Sequence, residues 1–135
     1  MTDRAKMEQT LRAAYAARQR GDIDGIVQHF GPEPVFHMAG AAHASPVAMR
    51  IEGAAPFRAA MQQMITVFAM EDYDIRTILI DGDRAAVQWH ATFRSTVTND
   101  RLETDLFDLV TFKDGRIVSF MQFCDTAAAA RLMGH

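Results

Sequence analysis

Four side chains in the second half of this chain could hold or move a proton. Asp108 stands in a run of Leu, Phe, Val and Thr, where a carboxylate must be paired, protonated or in use. Burial raises a carboxyl pKa, and groups perturbed in this way mark acid/base sites, so Asp108 is expected as a general acid or base. The structural alternative is a carboxylate tied to an Arg or a Tyr. His90 sits in a second apolar run, and a titrating imidazole near a carboxylate makes an acid/base pair or an orienting donor. Gln122 lies between Phe120 and Cys124, and its amide can orient a carbonyl or a water, or bond to backbone. Asp125 precedes the last helical stretch, where capping is the ordinary use of Asp and a pocket-mouth carboxylate the other. No metal is expected. His37, His43 and His90 with Asp108 show neither an HExxH pattern nor a close His pair.

The elements that must position these residues follow from periodicity and turn chemistry. Thr104 to Asp125 contains two runs rich in Val, Ile, Phe and Thr around Lys113-Asp114-Gly115-Arg116, and an Asp-Gly pair in that setting predicts a hairpin with positive φ at both central residues. Alternation puts Leu106, Asp108, Val110 and Phe112 on one face and Phe107, Leu109 and Thr111 on the other; on the returning strand Val118, Phe120, Gln122 and Cys124 share a face. Both faces are largely apolar, so cover on both sides is expected. Arg84 to Thr98 reads as a long strand with Ala86, Gln88, His90 and Thr92 on one face and Val87, Trp89, Ala91 and Phe93 on the other, turned by Asn99-Asp100.

Upstream, Asp3 to Arg20 is a helix with the stripe Met7, Leu11, Ala14, Tyr15 and Ala17, and with Arg12, Arg18 and Arg20 opposite. Gly21 stops it, and Asp22 caps a short second helix that carries Ile23, Ile26, Val27 and Phe30 up to Gly31-Pro32. Pro34 to Met38 is a short strand, in which His37 points away if Met38 points in, and 39–46 is a small-residue loop. Gly53 to Met70 is a third helix with Phe57, Met61, Met64, Ile65 and Phe68 buried; Tyr73 to Ile80 is a strand, and Thr126 to Met133 a final helix. Helices segregated before an antiparallel sheet indicate an α+β fold with helices on one face. Long strands in a small sheet curl, and a curled sheet closed by helices leaves a conical pocket. Met38, Met61 and Met64 would make it apolar and deformable, or simply fill a core.

The 135 residues fit a single domain spanning 1–135. With 49% apolar residues, 23% charged residues and a net charge of −3, the chain has no field to attract nucleic acid or an anionic membrane. Cys124 is the single cysteine, so no internal disulfide can form. The polar start MTDRAKMEQT is unlike a secretory signal, no apolar run approaches the ~20 residues of a membrane span, and the cytoplasm is the expected location.

At this point the chain resembles the SnoaL-like branch of the NTF2-like superfamily, which includes ketosteroid isomerases. The carriers are Gly21 to Val27, the Phe30 to Gly40 strand and loop, Gly53, and Asp108-Leu-Val-Thr-Phe-Lys-Asp-Gly-Arg-Ile-Val-Ser. The resemblance implies a cone of curved antiparallel sheet with helices on one face enclosing a pocket. It also implies cofactor-independent acid/base chemistry on an apolar cyclic carbonyl compound, or else a non-catalytic ligand-binding or dimerisation module. Ketosteroid isomerases place a base Asp at the end of the first strand, a Tyr donor on the first helix and a protonated Asp on a hairpin strand. Asp108 matches the last; Met38 stands where the base would be, and Tyr15 falls one position late, about 100° around the helix. SnoaL-like cyclases take a carboxylate from the later strands as base, which implies Asp108 or Asp125. Limonene-type epoxide hydrolases need an Arg two positions before the hairpin Asp, where Leu106 stands. The family's register makes the Gln88 and His90 face the cavity face, with Asp108 and His90 catalytic and with Gln122, Gln88, Tyr15, Met38, Met61 and Phe120 holding the ligand. An open carboxyl beside His90 would mark a catalytic Asp108, an enclosed one a structural Asp108. Trp89, Phe93, Phe107 and Leu109 would then form an outer apolar face on which a homodimer is expected.

Overall fold

The computed structural model describes residues 3–135. Its elements are α1 (Arg4–Arg20), α2 (Ile23–Val27), β1 (Phe30–Met38), β2 (Met49–Glu52), α3 (Ala54–Val67), β3 (Phe68–Asp81), β4 (Arg84–Ser95), β5 (Arg101–Lys113), β6 (Arg116–Phe123) and α4 (Thr126–Leu132). Asp3 starts α1 by accepting from Ala5 N at 2.7 Å, which satisfies a helix-end donor that would otherwise lack a partner. Gly21 ends it at φ 70°, with Asp22 N donating to Ala17 O at 2.9 Å and Gly21 N to Arg18 O at 3.2 Å.

The strands form one six-stranded sheet in the order β2-β1-β6-β5-β4-β3. Its pairs are antiparallel except β1 with β6, which run parallel, so the sheet is mixed and not wholly antiparallel as the sequence suggested. The partner of β1 lies near the other end of the chain, beyond the reach of any local pattern. β1 starts at Phe30, which had been placed in α2. Its ladder with β6 shifts between Phe30 and Val35, and that irregularity accommodates Pro32 and Pro34, which have no N–H to give. β2 was not foreseen; four residues are too few for alternation to register. α3 stops at Val67 because Phe68 is already extended (φ −117°, ψ 94°), so β3 follows without a loop and runs to Asp81. β4 ends at Ser95, not Thr98; Ser95 Oγ accepts from Val97 N and Thr98 N, both at 3.1 Å, and turns the chain. The hairpin turn is as expected, with Asp114 at φ 52° and Gly115 at φ 79°.

Helices cover one face of the sheet. Met7, Leu11 and Tyr15 of α1 and Phe57 and Met61 of α3 pack with Val87, Trp89, Val110 and Phe112 of the strands. In β6 the ladder shifts between Thr111 and Phe112, which turns Ile117 inward with Phe120 and Gln122 and leaves Val118 half-buried. The other face is left open by this chain, with Phe107 and Phe123 at 43% and 44% exposure, so the cover expected on both sides is present on one. Among the described residues, no helix is long and apolar enough to cross a membrane.

Candidate functional site

Cross-strand partners share a face, and the register of β4 with β5 sets Val87 opposite Asp108, Trp89 opposite Leu106 and His90 opposite Asp105. The odd-numbered residues of β4 therefore point to the helices with Asp108. This corrects the placement of His90 and Gln88 on the cavity face: Gln88 is exposed on the outer face, where it accepts from Thr77 Oγ1 at 3.1 Å. His90 lies beside it with Nδ1 2.8 Å from Asp105 Oδ1 and Nε2 2.8 Å from Glu103 Oε1. Those bonds raise its pKa, first through Asp105 and then through Glu103. It does not meet Asp108. By the same register Trp89 and Phe93 leave the outer face and line the cavity.

The cavity has a volume of about 360 Å³, within the range of small-molecule sites. Met38, Met61, Phe120 and Gln122 are brought to it as the sequence suggested, together with Tyr15. Met38 Sδ lies 3.6 Å from Cys124 Sγ. His37 lies on the opposite face of β1 from Met38, half-buried. Asp125 lines the cavity as its one carboxylate among the described residues, while Oδ1 caps α4 by accepting from Ala128 N at 3.0 Å.

Asp108 itself is fully buried and does not open onto the cavity. The hydroxyl of Tyr15 donates to Oδ2 and Gln122 Nε2 donates to Oδ1 at 3.0 Å. The carboxyl is thus enclosed, by a Tyr and an amide, with no Arg. Gln122 reaches it because the two residues are cross-strand partners in β5 and β6. Tyr15 reaches it from α1, where Leu11, Ala14 and Tyr15 fall on one buried stripe, despite the one-position offset from the family's Tyr. The Tyr15 ring is fixed against Trp89 at 5.0 Å between centroids and edge-on to Phe120 at 6.4 Å. Trp89 Nε1 is near enough to favour the Asp108 anion weakly but forms no hydrogen bond, the one such buried side-chain atom among the described residues.

Desolvation dominates the electrostatics of this cluster. It lifts the Asp108 pKa to about 7 against the opposing hydrogen bonds from Tyr15 and Gln122, and burial with the adjacent carboxylate lifts the Tyr15 phenol well above its usual value. The two share protons in one of two ways. When Asp108 is ionised, the Tyr15 proton is committed to it; when Asp108 is neutral, its own O–H can donate to Tyr15 Oη and free the phenol proton for another acceptor.

The sequence reading missed one lining residue. Arg18 had been assigned to the polar side of α1, yet it enters the cavity wall. The signal was present, since Leu11, Ala14 or Tyr15, and Arg18 repeat at i, i+3/i+4 and i+7. Among the described residues no group of three or more His, Cys, Asp or Glu is placed to hold a metal.

No curated protein matches the sequence. Among solved structures, a proposed isomerase from Bacillus subtilis superposes with a TM-score of 0.88 at 19% identity, covering 99% of this chain and 96% of that one. An NTF2-like protein of unknown function from Burkholderia pseudomallei gives 0.83 at 20% identity over 100% of both chains. A proposed SnoaL-like polyketide cyclase from Jannaschia gives 0.81 at 14% identity, covering 98% of this chain and 97% of that one. Likeness at such identities establishes the fold, an α+β NTF2-like cone. The family model described as the SnoaL-like domain matches residues 11–120, a span that takes in Tyr15 and Asp108, and by that match the chain belongs to the SnoaL-like domain family.

Proposed function

We propose that the protein binds an apolar, ring-containing carbonyl compound in this cavity and moves a proton at the carbon beside the carbonyl, without a cofactor. The observation that carries this reading is the Tyr15–Asp108–Gln122 cluster buried against an otherwise apolar cavity. Its Tyr15 hydroxyl would meet the substrate oxygen. Asp108 touches no substrate in this arrangement; it is a positioning residue that decides, by its own proton, whether Tyr15 can donate. Asp125 is the base, because Met38 occupies the corresponding place on β1 and a thioether cannot take a proton from carbon. The proton passes from the α-carbon to the Asp125 carboxylate, and the C–H electron pair becomes the double bond of an enolate. The charge on the enolate oxygen is met by the Tyr15 O–H. On the exposed Asp125 carboxyl that proton exchanges with solvent, and Asp125 then delivers a proton back to carbon.

The test is hydrogen exchange at the α-carbon of a cyclic ketone such as 2-tetralone in D₂O, followed by proton NMR. Exchange faster than buffer is expected, with a loss of about 10²–10³-fold in Asp125→Asn, whose side chain still caps α4. Exchange at the buffer rate across a set of cyclic ketones that bind would instead favour a ligand-binding module without chemistry. The enclosure of Asp108 is the observation on that side.

We also propose that two copies pair through the outer face of the sheet. Phe107 and Phe123 are cross-strand partners there, 43% and 44% exposed in the single chain. Sedimentation should give a dimer at micromolar concentration that Phe107→Asp converts to a monomer; a wild-type monomer would contradict it.

A further inference from the structure

One charge in the cavity wall has no counterpart in a neutral ketone. Arg18 sits one helical turn after Tyr15 on α1, and both residues line the apolar enclosure. Its Nη2 donates to Phe68 O at 2.6 Å and to Met64 O at 3.4 Å, and the guanidinium carbon lies 5.9 Å from the centre of the Phe93 ring. All three partners are neutral. Among the described residues Arg4, Arg18, Arg84, Arg116 and Arg131 are the arginines that take part in no ion pair, and of these Arg18 alone lines the cavity.

Burial lowers its pKa to about 10, which leaves it cationic at neutral pH. A guanidinium presents five N–H donors in a planar fork suited to two oxygens at once, and the two carbonyls engage only one of its nitrogens. A half-buried cation in the wall of an apolar cavity, held by carbonyl oxygens and a ring face, is suited to an anion at the donors those carbonyls leave unused. Asp125, the lining carboxylate, is exposed and spends Oδ1 on the cap of α4.

We infer that Arg18 is an anion-binding element of the cavity, and that the ligand is an amphiphilic anion whose apolar ring body carries a carboxylate or an ionised enol. This rests on the reading that the cavity takes an apolar small molecule, and it adds the charge. The geometry gives such a ligand two fixed points on α1, an anionic group at Arg18 and an oxygen at Tyr15, with the ring body against the Met and Phe side chains between α3 and the sheet.

The test compares two fluorescent probes with the same aryl-amine frame on the full chain, 8-anilinonaphthalene-1-sulfonate, which is anionic, and N-phenyl-1-naphthylamine, which is uncharged. In Arg18→Gln the affinity for the anion should fall at least tenfold while that for the neutral probe changes less than twofold. Arg18→Lys, which keeps the charge and loses the fork, should recover part of the loss and serves alone if Arg18→Gln does not fold. Equal weakening of both probes, or anion affinity that is indifferent to both substitutions, overturns the inference and leaves Arg18 a structural residue. Failure of the neutral probe to bind wild type overturns the cavity reading itself, and the inference with it.

Discussion

Tyr15→Phe should lower α-proton exchange on a ketone substrate by about 10²–10³-fold, the range seen when one donor to a developing oxyanion is removed, with little change in ketone affinity. Tyr15 is the residue of the cluster that both carries a hydroxyl and lines the cavity, and loss of the hydroxyl keeps the ring that packs on Trp89 and Phe120. Asp108 bears on the same step through its proton. While Asp108 is neutral, Tyr15 is free to donate; once it ionises, the phenol proton is drawn back to Oδ2. The wild-type rate should therefore fall as pH rises through about 7, where the Asp108 pKa lies. Asp108→Asn replaces the switching group by a permanent one, since an amide N–H can donate to Tyr15 Oη at any pH while its carbonyl accepts from Gln122. That variant should stay active and lose the alkaline fall. A rate in Tyr15→Phe within threefold of wild type, or an Asp108→Asn profile that keeps the fall, would show that the cluster does no more than hold the fold.

The second large effect is on stability. Relative to Asp108→Asn, wild type should lose about 4 kcal/mol across the window between the ordinary Asp pKa of 3.8 and the folded value of about 7. The sign follows from proton counts. Below about pH 4 the carboxyl is protonated folded and unfolded, and its packing contributes in full. Between those values the unfolded chain has released the proton and the folded chain has kept it, so raising the pH favours unfolding. Above about 7 both states are ionised and the deficit stays constant. Urea unfolding of the two proteins at pH 5 and pH 8 should show about 2.6 kcal/mol of it, the part that falls between those values, because every other titrating group cancels in the difference. Parallel curves would mean that Asp108 ionises near its usual pKa and that burial does not govern it.

Much of the molecule was legible in the chain because its signals are local. Asp3, Asp22 and Asp125 cap helices, Gly21 ends one, and Asp114-Gly115 turns the hairpin, each through a contact within a few residues. Asp108 was legible as well, since a carboxylate amid Leu, Phe and Val must be dealt with somewhere. What failed was relative orientation. Alternation divides a strand into two faces without saying which is inward, and the β4 assignment followed the register of the family's hairpin over the bulk of Trp89. The plain rule of apolar side in, polar side out would have chosen Val87, Trp89 and Ala91, all of them buried. Residue type in turn hid Arg18, which was set with the other arginines although its spacing put it with Tyr15. The parallel pairing of β1 and the bulge in β6 had no local signature at all.

That parallel pairing bears on how the chain acquires its shape. Translation delivers β1 and β2 early, yet the sheet position they occupy is bounded by β6, nearly the last strand to be made. Until β6 emerges, β1 has only the four-residue β2 as a neighbour, and two strands alone are marginal in water. Closing so distant a contact is slow, and the apolar side of β1 waits exposed meanwhile. The C-terminal hairpin is thus the clasp of the whole sheet, and a nascent chain arrested before it should be the species most prone to stick to itself.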